Sequence, residues 1–257
     1  MTPSPGLRVL VTGGSGASGI ATARALNDSG FAVFTAGSDK GRIEAAAALA
    51  GPGVTPLVCD LASLADVRAM HGSLTEAAGA MDGVIHLVGG WRGSAGITEQ
   101  SDEDWDFLER GAITTLRNVT RVFYKDLEAS GTGRFAMVSS TAVSAPTAGG
   151  ASYVAAKAAA EAWTMAVADG FRSAPTEASG SGRAGHGPSA YGQGASDQGS
   201  AAVVLVVKAL VDADMRRQHP ERTFPGHTDV EDLAAAVVGL FGRPATELNG
   251  LRLPLTH

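Results

Sequence analysis

The sequence predicts a three-layer α/β protein with a doubly wound parallel sheet of about seven strands. Seven short apolar runs alternate with longer, alanine-rich segments of helical character. Several runs are apolar throughout, which is typical of strands that helices cover on both faces. Because strands and helices alternate and such crossovers are right-handed, the pattern favours parallel strands in one sheet.

The apolar runs are the predicted strands, and the segments between them contain the predicted helices. The predicted strands are Leu7–Thr12, Phe31–Thr35, Val54–Cys59, Gly83–Val88, Arg134–Ser139, Ala201–Val207 and Leu251–Leu255. The predicted helices span residues 18–29, 39–50, 63–79, 101–129, 151–169 and 229–242. Asp39 is suited to cap the second helix. Ser101 and Asp104 form a capping-box pattern at the start of the fourth, and Trp105 and Trp163 have the apolar spacing of core residues.

One segment breaks the alternation. Residues 172–200 are rich in glycine, serine and alanine and show no apolar periodicity. Such composition predicts a flexible surface excursion without secondary structure. The alternative is a lid that closes over a substrate, because long loops in compact domains are often functional. Since the chain on both sides belongs to the same sheet, we expect a single domain over residues 1–257.

Composition and charge exclude several classes of protein. The chain has 257 residues with a formal net charge of −6 and no basic run, which argues against nucleic acid or an anionic membrane as the partner. No run reaches the ~18 apolar residues of a transmembrane helix, and the first residues lack a signal-peptide pattern. One cysteine, Cys59, permits no internal disulfide. We therefore expect a cytoplasmic protein without a metal site.

A glycine-rich turn joins the first strand to the first helix. Gly13, Gly16 and Gly19 are three residues apart in the run from Thr12 to Gly19, TGGSGASG. Such glycines allow a tight turn and a close approach of the backbone to a pyrophosphate, which the helix N-terminus then binds. The strand before the turn and the helix after it supply the context that the motif requires. The sequence predicts dinucleotide binding on a Rossmann fold.

The end of the second strand bears on the choice of cofactor. An acidic residue there would hold the ribose 2′-hydroxyl of NAD. Ala36 and Gly37 occupy these positions, whereas Ser38, Lys40 and Arg42 follow as possible partners of a 2′-phosphate. The alternative is that the two basic residues are solvated side chains of the next helix. The pattern favours NADP(H) over NAD(H).

A second constellation indicates proton transfer. Tyr153 and Lys157 share one face of a predicted helix, at i and i+4. A neighbouring ammonium favours the phenolate, and we expect Lys157 to lower the pKa of Tyr153 toward the range useful for general acid–base catalysis. Ser140 lies at the end of the fifth strand, where its hydroxyl can reach the same point.

With these motifs the chain resembles the short-chain dehydrogenase/reductase family over residues 7–171 and 201–255. The resemblance rests on the glycine-rich turn, Asp60-Leu61, the Ser139-Ser140 pair and the run Tyr153–Lys157, YVAAK. It implies that Tyr153 exchanges a proton with the substrate oxygen and that Ser140 hydrogen-bonds that oxygen. Lys157 would lower the tyrosine pKa and hold the nicotinamide ribose, and Asp60 would contact the adenine.

The resemblance also implies a complete set of ligand-binding residues. For the cofactor these are Gly13, Ser15, Gly16, Ala17, Ser18, Gly19, Ser38, Asp60, Leu61, Val88, Gly89, Gly90, Tyr153 and Lys157. For the substrate, a small molecule with a carbonyl or secondary alcohol group, they are Trp91, Ser140 and Tyr153. Trp91 has a second interpretation, as a loop aromatic buried for packing. The family resemblance further implies a homodimer or homotetramer.

The chain departs from the family pattern at several positions. His86-Leu-Val-Gly89 replaces the usual Asn-Asn-Ala-Gly, and we expect His86 to be a packed, neutral histidine. Ala112 replaces the asparagine of the proton relay, and Lys208-Ala209 replaces the Pro-Gly pair beside the nicotinamide. Ala17 replaces a glycine, so the turn has the spacing of the longer, epimerase-like branch. The stretch Val88–Trp91 is similar to one in dihydropteridine reductase.

These departures keep several functions open. The leading hypothesis is an NAD(P)H-dependent oxidoreductase that moves a hydride between nicotinamide and a carbonyl or secondary alcohol. An NADP-binding sensor or scaffold with impaired catalysis is the second, because Ala112 and Lys208-Ala209 remove features that support turnover. A dihydropteridine-reductase-like enzyme is the third. An epimerase-like enzyme is disfavoured because the chain has no added substrate domain.

Overall fold

The computed structural model describes residues 6–173 and 199–255. Within them the strands are β1 (Arg8–Thr12), β2 (Ala32–Gly37), β3 (Val54–Val58), β4 (Gly83–His86), β5 (Arg134–Ser140), β6 (Ala201–Val207), β7 (Leu210–Val211), β8 (Thr228–Asp229) and β9 (Arg252–Pro254). The α-helices are α1 (Ala17–Asp28), α2 (Lys40–Ala50), α3 (Leu64–Ala78), α4 (Asp102–Glu109), α5 (Thr115–Ala129), α6 (Ala151–Ser173), α7 (Ala213–Gln218), α8 (Val230–Leu240) and α9 (Ala245–Leu248).

Seven strands form one parallel sheet in the order β3-β2-β1-β4-β5-β6-β9. The order reverses between β1 and β4, so the chain leaves these two strands toward opposite faces of the sheet and opens a crevice at their carboxyl ends. The strand register aligns the carboxyl ends of neighbouring strands. Thr12 pairs with Ala36 and His86, and Ser140 pairs with Val207. The predicted doubly wound α/β fold is confirmed.

The core lies on both faces of this sheet. One buried cluster includes Leu10, Val84 and Phe123, and the other includes Val11, Ile85 and Leu233. Neighbouring residues of β1 and β4 thus belong to opposite clusters, because successive strand side chains point to opposite faces. A strand covered in this way can have apolar residues at every position, as β6 does.

Several elements differ from the sequence-based expectations. The predicted helix 101–129 is interrupted by a π-helical segment at Arg110–Thr114, which separates α4 from α5. The short pair β7–β8 and the helices α7 and α9 were not predicted. The predicted excursion at 172–200 falls mostly on residues 174–198, outside the described residues.

The two tryptophans assigned to the core differ. Trp163 is partly buried and donates a hydrogen bond from Nε1 to Thr120 Oγ1 over 2.9 Å. Trp105 is exposed on α4, so its assignment to the core is wrong. The expectation rested on continuous helical spacing, and the π-helical segment after α4 changes that phase. In the part of the chain described here, every helix is too short or too polar to cross a bilayer.

Candidate cofactor and catalytic site

Two adjoining cavities, each of about 370 Å³, lie at the carboxyl end of the sheet. They share Ser18, Leu87, Val88 and Gly89. The first cavity extends over β1, β2 and β3 toward Asp60 and Arg42. The second extends over β5 and β6 toward Tyr153 and Lys157. Together they form one elongated cleft across the point where the strand order reverses.

The glycine-rich turn forms the floor of the first cavity. Gly13 has φ +77°, and a Cβ there would lie 2.9 Å from the carbonyl of Leu87. A Cβ on Gly19 would lie 2.5 Å from the carbonyl oxygen of Gly13, so this glycine allows α1 to pack against the turn. Gly16 caps α1 without a side chain, and the first turn of the helix carries no acidic residue. Free N–H groups and the positive dipole end therefore face the cavity, a donor set that fits a diphosphate.

The structure places most of the predicted cofactor residues along the cleft. Those that line it are Gly13, Ser15, Gly16, Ser18, Ser38, Asp60, Leu61, Val88, Gly89, Gly90, Tyr153 and Lys157. Ala17 instead lines a smaller cavity of about 140 Å³ beside Leu210 and Met215. Gly19 is buried against the turn and lines neither half of the cleft.

Polar and charged side chains surround the end of β2. Ser38, Asp39 and Arg42 line the first cavity, and the Asp39 carboxylate accepts a hydrogen bond from the backbone N–H of Arg42, which caps α2 as predicted. Lys40 instead lies 3.9 Å from Glu44. Of the two basic residues, only Arg42 lines the cleft. Asp39 was predicted only as a helix cap, because the sequence does not show that its position also borders the cavity.

Asp60 is held in place from two sides. One carboxylate oxygen accepts from the backbone N–H of Ala62 at 3.0 Å, and the other pairs with Arg110 Nη2 at 2.7 Å. Arg110 begins the π-helical segment. The far wall of the first cavity is thus connected to the segment that interrupts the predicted fourth helix.

Ser140, Tyr153 and Lys157 meet at the second cavity. The hydroxyl of Ser140 lies close enough to the Tyr153 phenol to lower its pKa. Lys157 is buried, and its Nζ donates to the carbonyl oxygen of Val138 at 2.9 Å. A Cβ on Gly89 would lie 3.3 Å from Lys157 Nζ, so the glycine leaves room for the ammonium at the junction of the two cavities. Tyr153 and Lys157 line the cleft, whereas Ser140 is 3% exposed and does not line it.

The pKa values of these groups are governed by burial. Burial raises the pKa of Tyr153, and the neighbouring Ser140 hydroxyl opposes that effect. The prediction that Lys157 lowers the pKa of Tyr153 is therefore wrong: the pKa is raised by burial, and the side chain that opposes burial is Ser140. Burial lowers the pKa of Lys157 to about 8, against the opposing charge of Glu161. The lysine stays mostly protonated at pH 7 and can hold a positive charge beside the tyrosine.

His86 connects the sheet to α5 through buried hydrogen bonds. Thr115 Oγ1 donates to the carbonyl of Gly111 at 2.6 Å, so it accepts from His86 Nε2 at 3.2 Å. Nδ1 is then the acceptor for Thr12 Oγ1 at 2.8 Å. Burial, with a smaller contribution from Lys157, lowers the pKa of His86 to about 3. The prediction of a packed, neutral histidine is confirmed.

Trp91 and the residues after β6 border the outer part of the second cavity. Trp91 is 68% exposed and lines the cavity, so it is not a loop aromatic buried for packing. Lys208 lines the same cavity and donates from Nζ to the carbonyl of Pro225 at 2.9 Å. Ser139 Oγ is buried on this wall without a hydrogen-bond partner among the described residues. This unpaired hydroxyl suits a polar ligand group at the inner end of the cavity.

Ala112 fills the position that the family pattern gives to an asparagine. It is buried and packs with Leu108 and Ala156, so it offers no polar side chain to a proton relay. Within the residues that the structure describes, no group of three His, Cys, Asp or Glu side chains is arranged to hold a metal ion.

The chain is similar to known proteins in sequence and in fold. A sequence model of the short chain dehydrogenases matches residues 8–174. Nodulation protein G of Rhizobium meliloti (strain 1021) is 33% identical over 159 residues, which cover 60% of this chain and 62% of that protein. The match thus spans less than two thirds of the relative's length.

Solved structures resemble the whole described fold. An NAD⁺-bound xylitol dehydrogenase has a TM-score of 0.76 at 18% identity, covering 98% of each chain. An NADPH-bound short chain oxidoreductase from Pseudomonas aeruginosa PAO1, described as containing an atypical catalytic centre, has a TM-score of 0.77 at 20% identity. That match covers 98% of this chain and 97% of the other. At these identities the similarity concerns the fold.

Proposed function

Because the chain belongs to the short-chain dehydrogenase family, we propose that it is an oxidoreductase in which Tyr153 exchanges a proton with a carbonyl or secondary alcohol and NADP(H) is the preferred cofactor. The observation that carries this proposal is the meeting of Ser140, Tyr153 and Lys157 beside a cleft with a glycine-rich floor. A proton donor, a hydroxyl and a cation at one end of a dinucleotide-shaped cleft are the groups that carbonyl reduction requires.

The chain's own residues supply binding, orientation and proton transfer. The bound nicotinamide supplies or accepts the hydride. In the direction of reduction, Tyr153 Oη donates its proton to the developing alkoxide of the substrate. The neighbouring Ser140 hydroxyl, which favours the ionised form of the phenol, stabilises the phenolate that remains. Lys157 places a positive charge beside it and so favours the same ionised form.

The cleft offers a position for each part of the cofactor. The N-terminus of α1 would bind the diphosphate, and Asp60 with Leu61 would border the adenine. Ser38 and Arg42 favour a 2′-phosphate, since no acidic residue stands at Ala36 or Gly37. Asp39 opposes that charge, but its carboxylate is already engaged in capping α2. The balance of these groups supports NADP(H).

The first test is a fluorescence titration of the purified protein with NADPH and NADH in parallel. We expect NADPH to bind more tightly. Equal affinity, or a preference for NADH, would overturn the choice of cofactor and leave the fold assignment intact.

The second test replaces the proton donor. Tyr153→Phe should lower kcat for the reduction of aldehydes, ketones or quinones by at least ~100-fold, because general acid–base catalysis contributes a factor of about 10² to 10⁴. The affinity for NADPH should be nearly unchanged. Full activity in this variant would contradict the assigned role.

A cofactor-binding sensor or scaffold is the second candidate, and buried Ala112 is the observation that favours it. Tight NADPH binding without oxidation across a broad carbonyl panel, pterins included, would support this alternative over the enzyme.

The family resemblance also supports three expectations about the whole protein. We expect one domain that unfolds in a single transition, a homodimer or homotetramer, and a cytoplasmic location. Elution as a monomer at micromolar concentration would contradict the second expectation.

A further inference from the structure

Gln100 lies where two loops meet beside the proposed catalytic tyrosine. It lies near the end of the β4–α4 loop, residues 87–101, which also carries Trp91. Its partners belong both to this loop and to the segment between β5 and α6, residues 141–150, which leads into the helix of Tyr153. Gln100 lines neither half of the cleft.

The amide oxygen of Gln100 binds the start of α6. It accepts a hydrogen bond from the backbone N–H of Ser152 at 3.2 Å and another from Ser152 Oγ at 2.6 Å. The first N–H groups of a helix have no partner within the helix and require one from outside. Gln100 supplies that acceptor from another loop, at the residue immediately before Tyr153.

The amide nitrogen of Gln100 faces four oxygen atoms. They are Ser94 Oγ at 2.5 Å, the carbonyl of Gly96 at 3.0 Å, the carbonyl of Ala148 at 3.1 Å and the carbonyl of Gly149 at 3.3 Å. Ser94 Oγ donates to Gly96, so it is an acceptor toward Gln100. Two belong to the β4–α4 loop and two to the segment before α6. A single amide thus connects both.

The backbones of the two loops are also in contact. Ser94 donates from its N–H to the carbonyl of Gly149 at 2.9 Å. A Cβ on Gly149 would lie 2.4 Å from the carbonyl oxygen of Ser94, and one on Gly93 would lie 2.6 Å from the ring of Trp91. Glycine at these positions permits the close approach. The outer wall of the second cavity and the start of α6 therefore form one connected unit.

We propose that Gln100 is a positioning residue that fixes Tyr153 relative to Ser140 and to the wall carrying Trp91. It acts on the reaction through the first turn of α6, since its oxygen holds Ser152 and its nitrogen holds both loops. The inference rests on the proposed role of Tyr153, and it goes further by assigning the alignment of that residue to a side chain outside the cleft.

The test compares Gln100→Ala and Gln100→Glu with the control Thr98→Ala. Thr98 is exposed on the same loop and bonds only its neighbour Glu99. Gln100→Ala should lower kcat for carbonyl reduction about 10- to 100-fold at temperatures well below its Tm, since small misplacements of catalytic groups have effects of this size. The Kd for NADPH should be unchanged, and Thr98→Ala should behave like the wild type.

Gln100→Glu separates the two halves of the amide. A carboxylate can still accept from Ser152, but it places negative charge among four oxygen acceptors. Protonation restores a donor, so the ratio of variant to wild-type kcat should rise as the pH is lowered from 7 toward the ordinary glutamate pKa of about 4.3. A role confined to stability would lower Tm in both Gln100 variants and leave kcat and this ratio unchanged, which would overturn the inference.

A further readout does not depend on turnover. The protein has three tyrosines, and with 3-fluorotyrosine in their place the ¹⁹F resonance of position 153 can be assigned from Tyr153→Phe. Gln100→Ala should shift this resonance and its titration, whereas Thr98→Ala should not. If wild-type turnover is absent, the proposed function fails, but a shifted resonance still supports the positioning role. If Gln100→Ala does not fold, Ser152→Ala should give a smaller shift in the same direction, and no shift would contradict the proposal.

Discussion

At the scale of single residues, Arg42 determines the proposed preference for NADP(H). Its side chain borders the first cavity, whereas that of Lys40, two residues earlier, lies beside Glu44. Arg42→Ala should raise the Kd for NADPH about 10-fold, equivalent to about 1.4 kcal/mol, with little effect on NADH. Parallel fluorescence titrations of the variant and of the matched control Lys40→Ala measure this. If Lys40→Ala and Arg42→Ala lose the same affinity for NADPH, the preference depends on overall positive charge and not on the position of Arg42.

Lys157 combines its proposed functional charge with a cost in stability. Its pKa is about 8 in the folded protein and near 10.5 when unfolded, so the unfolded state binds more protons between these values and stability should rise with pH across that window. At pH 7 the buried charge is fully present. Lys157→Met should therefore raise the free energy of unfolding by about 2 kcal/mol, as measured by denaturant titration. The same variant should lose turnover. A less stable variant would show that the bond to Val138 outweighs burial.

The site residues differ in how far the sequence alone identifies them. Glycine spacing and the Tyr153–Lys157 pair predict chemistry because both depend on local periodicity. Gln100 and Asp39 have no such signal, since their neighbours are set by which loops meet in three dimensions. The pKa of Tyr153 also could not be predicted from a neighbouring cation, because the degree of burial depends on the complete fold.

At the scale of elements, the strands were predictable and the interruption of the fourth helix was not. Covered parallel strands show continuous apolar runs, so their bounds agree to within a few residues. The π-helical segment at Arg110–Thr114 leaves helical spacing on both sides of it, and one extra residue changes only the phase. Helices and strands of two to six residues, such as β7 and α7, are too short to show a period.

Arg134 illustrates how one side chain joins several elements. It lies buried on β5 and donates hydrogen bonds to the carbonyls of Leu240, Arg243, Gly133 and Gly199. Leu240 ends α8, so the guanidinium also meets the negative end of that helix. No carboxylate forms an ion pair with Arg134 among the described residues, and burial lowers its pKa to about 10.

Removing the Arg134 side chain should weaken the attachment of α8 to the sheet. Arg134→Met leaves buried carbonyl groups without donors, and we expect a loss of about 2–4 kcal/mol in the free energy of unfolding. Chemical denaturation measures the loss, with Arg121→Met, at an exposed position on α5, as the control. Equal stability of both variants would mean that water replaces the lost donors.

At the scale of the whole molecule, acid should unfold the protein through the centre of its sheet. His86 lies on β4, bonded to Thr12 on the neighbouring strand and to Thr115 on α5. Its pKa is about 3 in the folded protein and 6.5 as the ordinary value. Below pH 6.5 the unfolded state binds the proton that the folded state rejects, so stability should fall by up to ~1.4 kcal/mol per pH unit as the pH drops toward 3.

Replacing His86 by Gln tests whether the titration of this one buried ring lowers the stability of the whole protein in acid. His86→Gln keeps an acceptor and a donor but cannot be protonated, so the variant should start less stable at pH 7 and lose less stability on acidification. Denaturant midpoints measured from pH 7 to 4 give the two slopes. His219→Gln, at a half-exposed position after α7, is the matched control and should keep the wild-type slope. Identical slopes for the wild type and His86→Gln would mean that carboxylates elsewhere dominate acid unfolding.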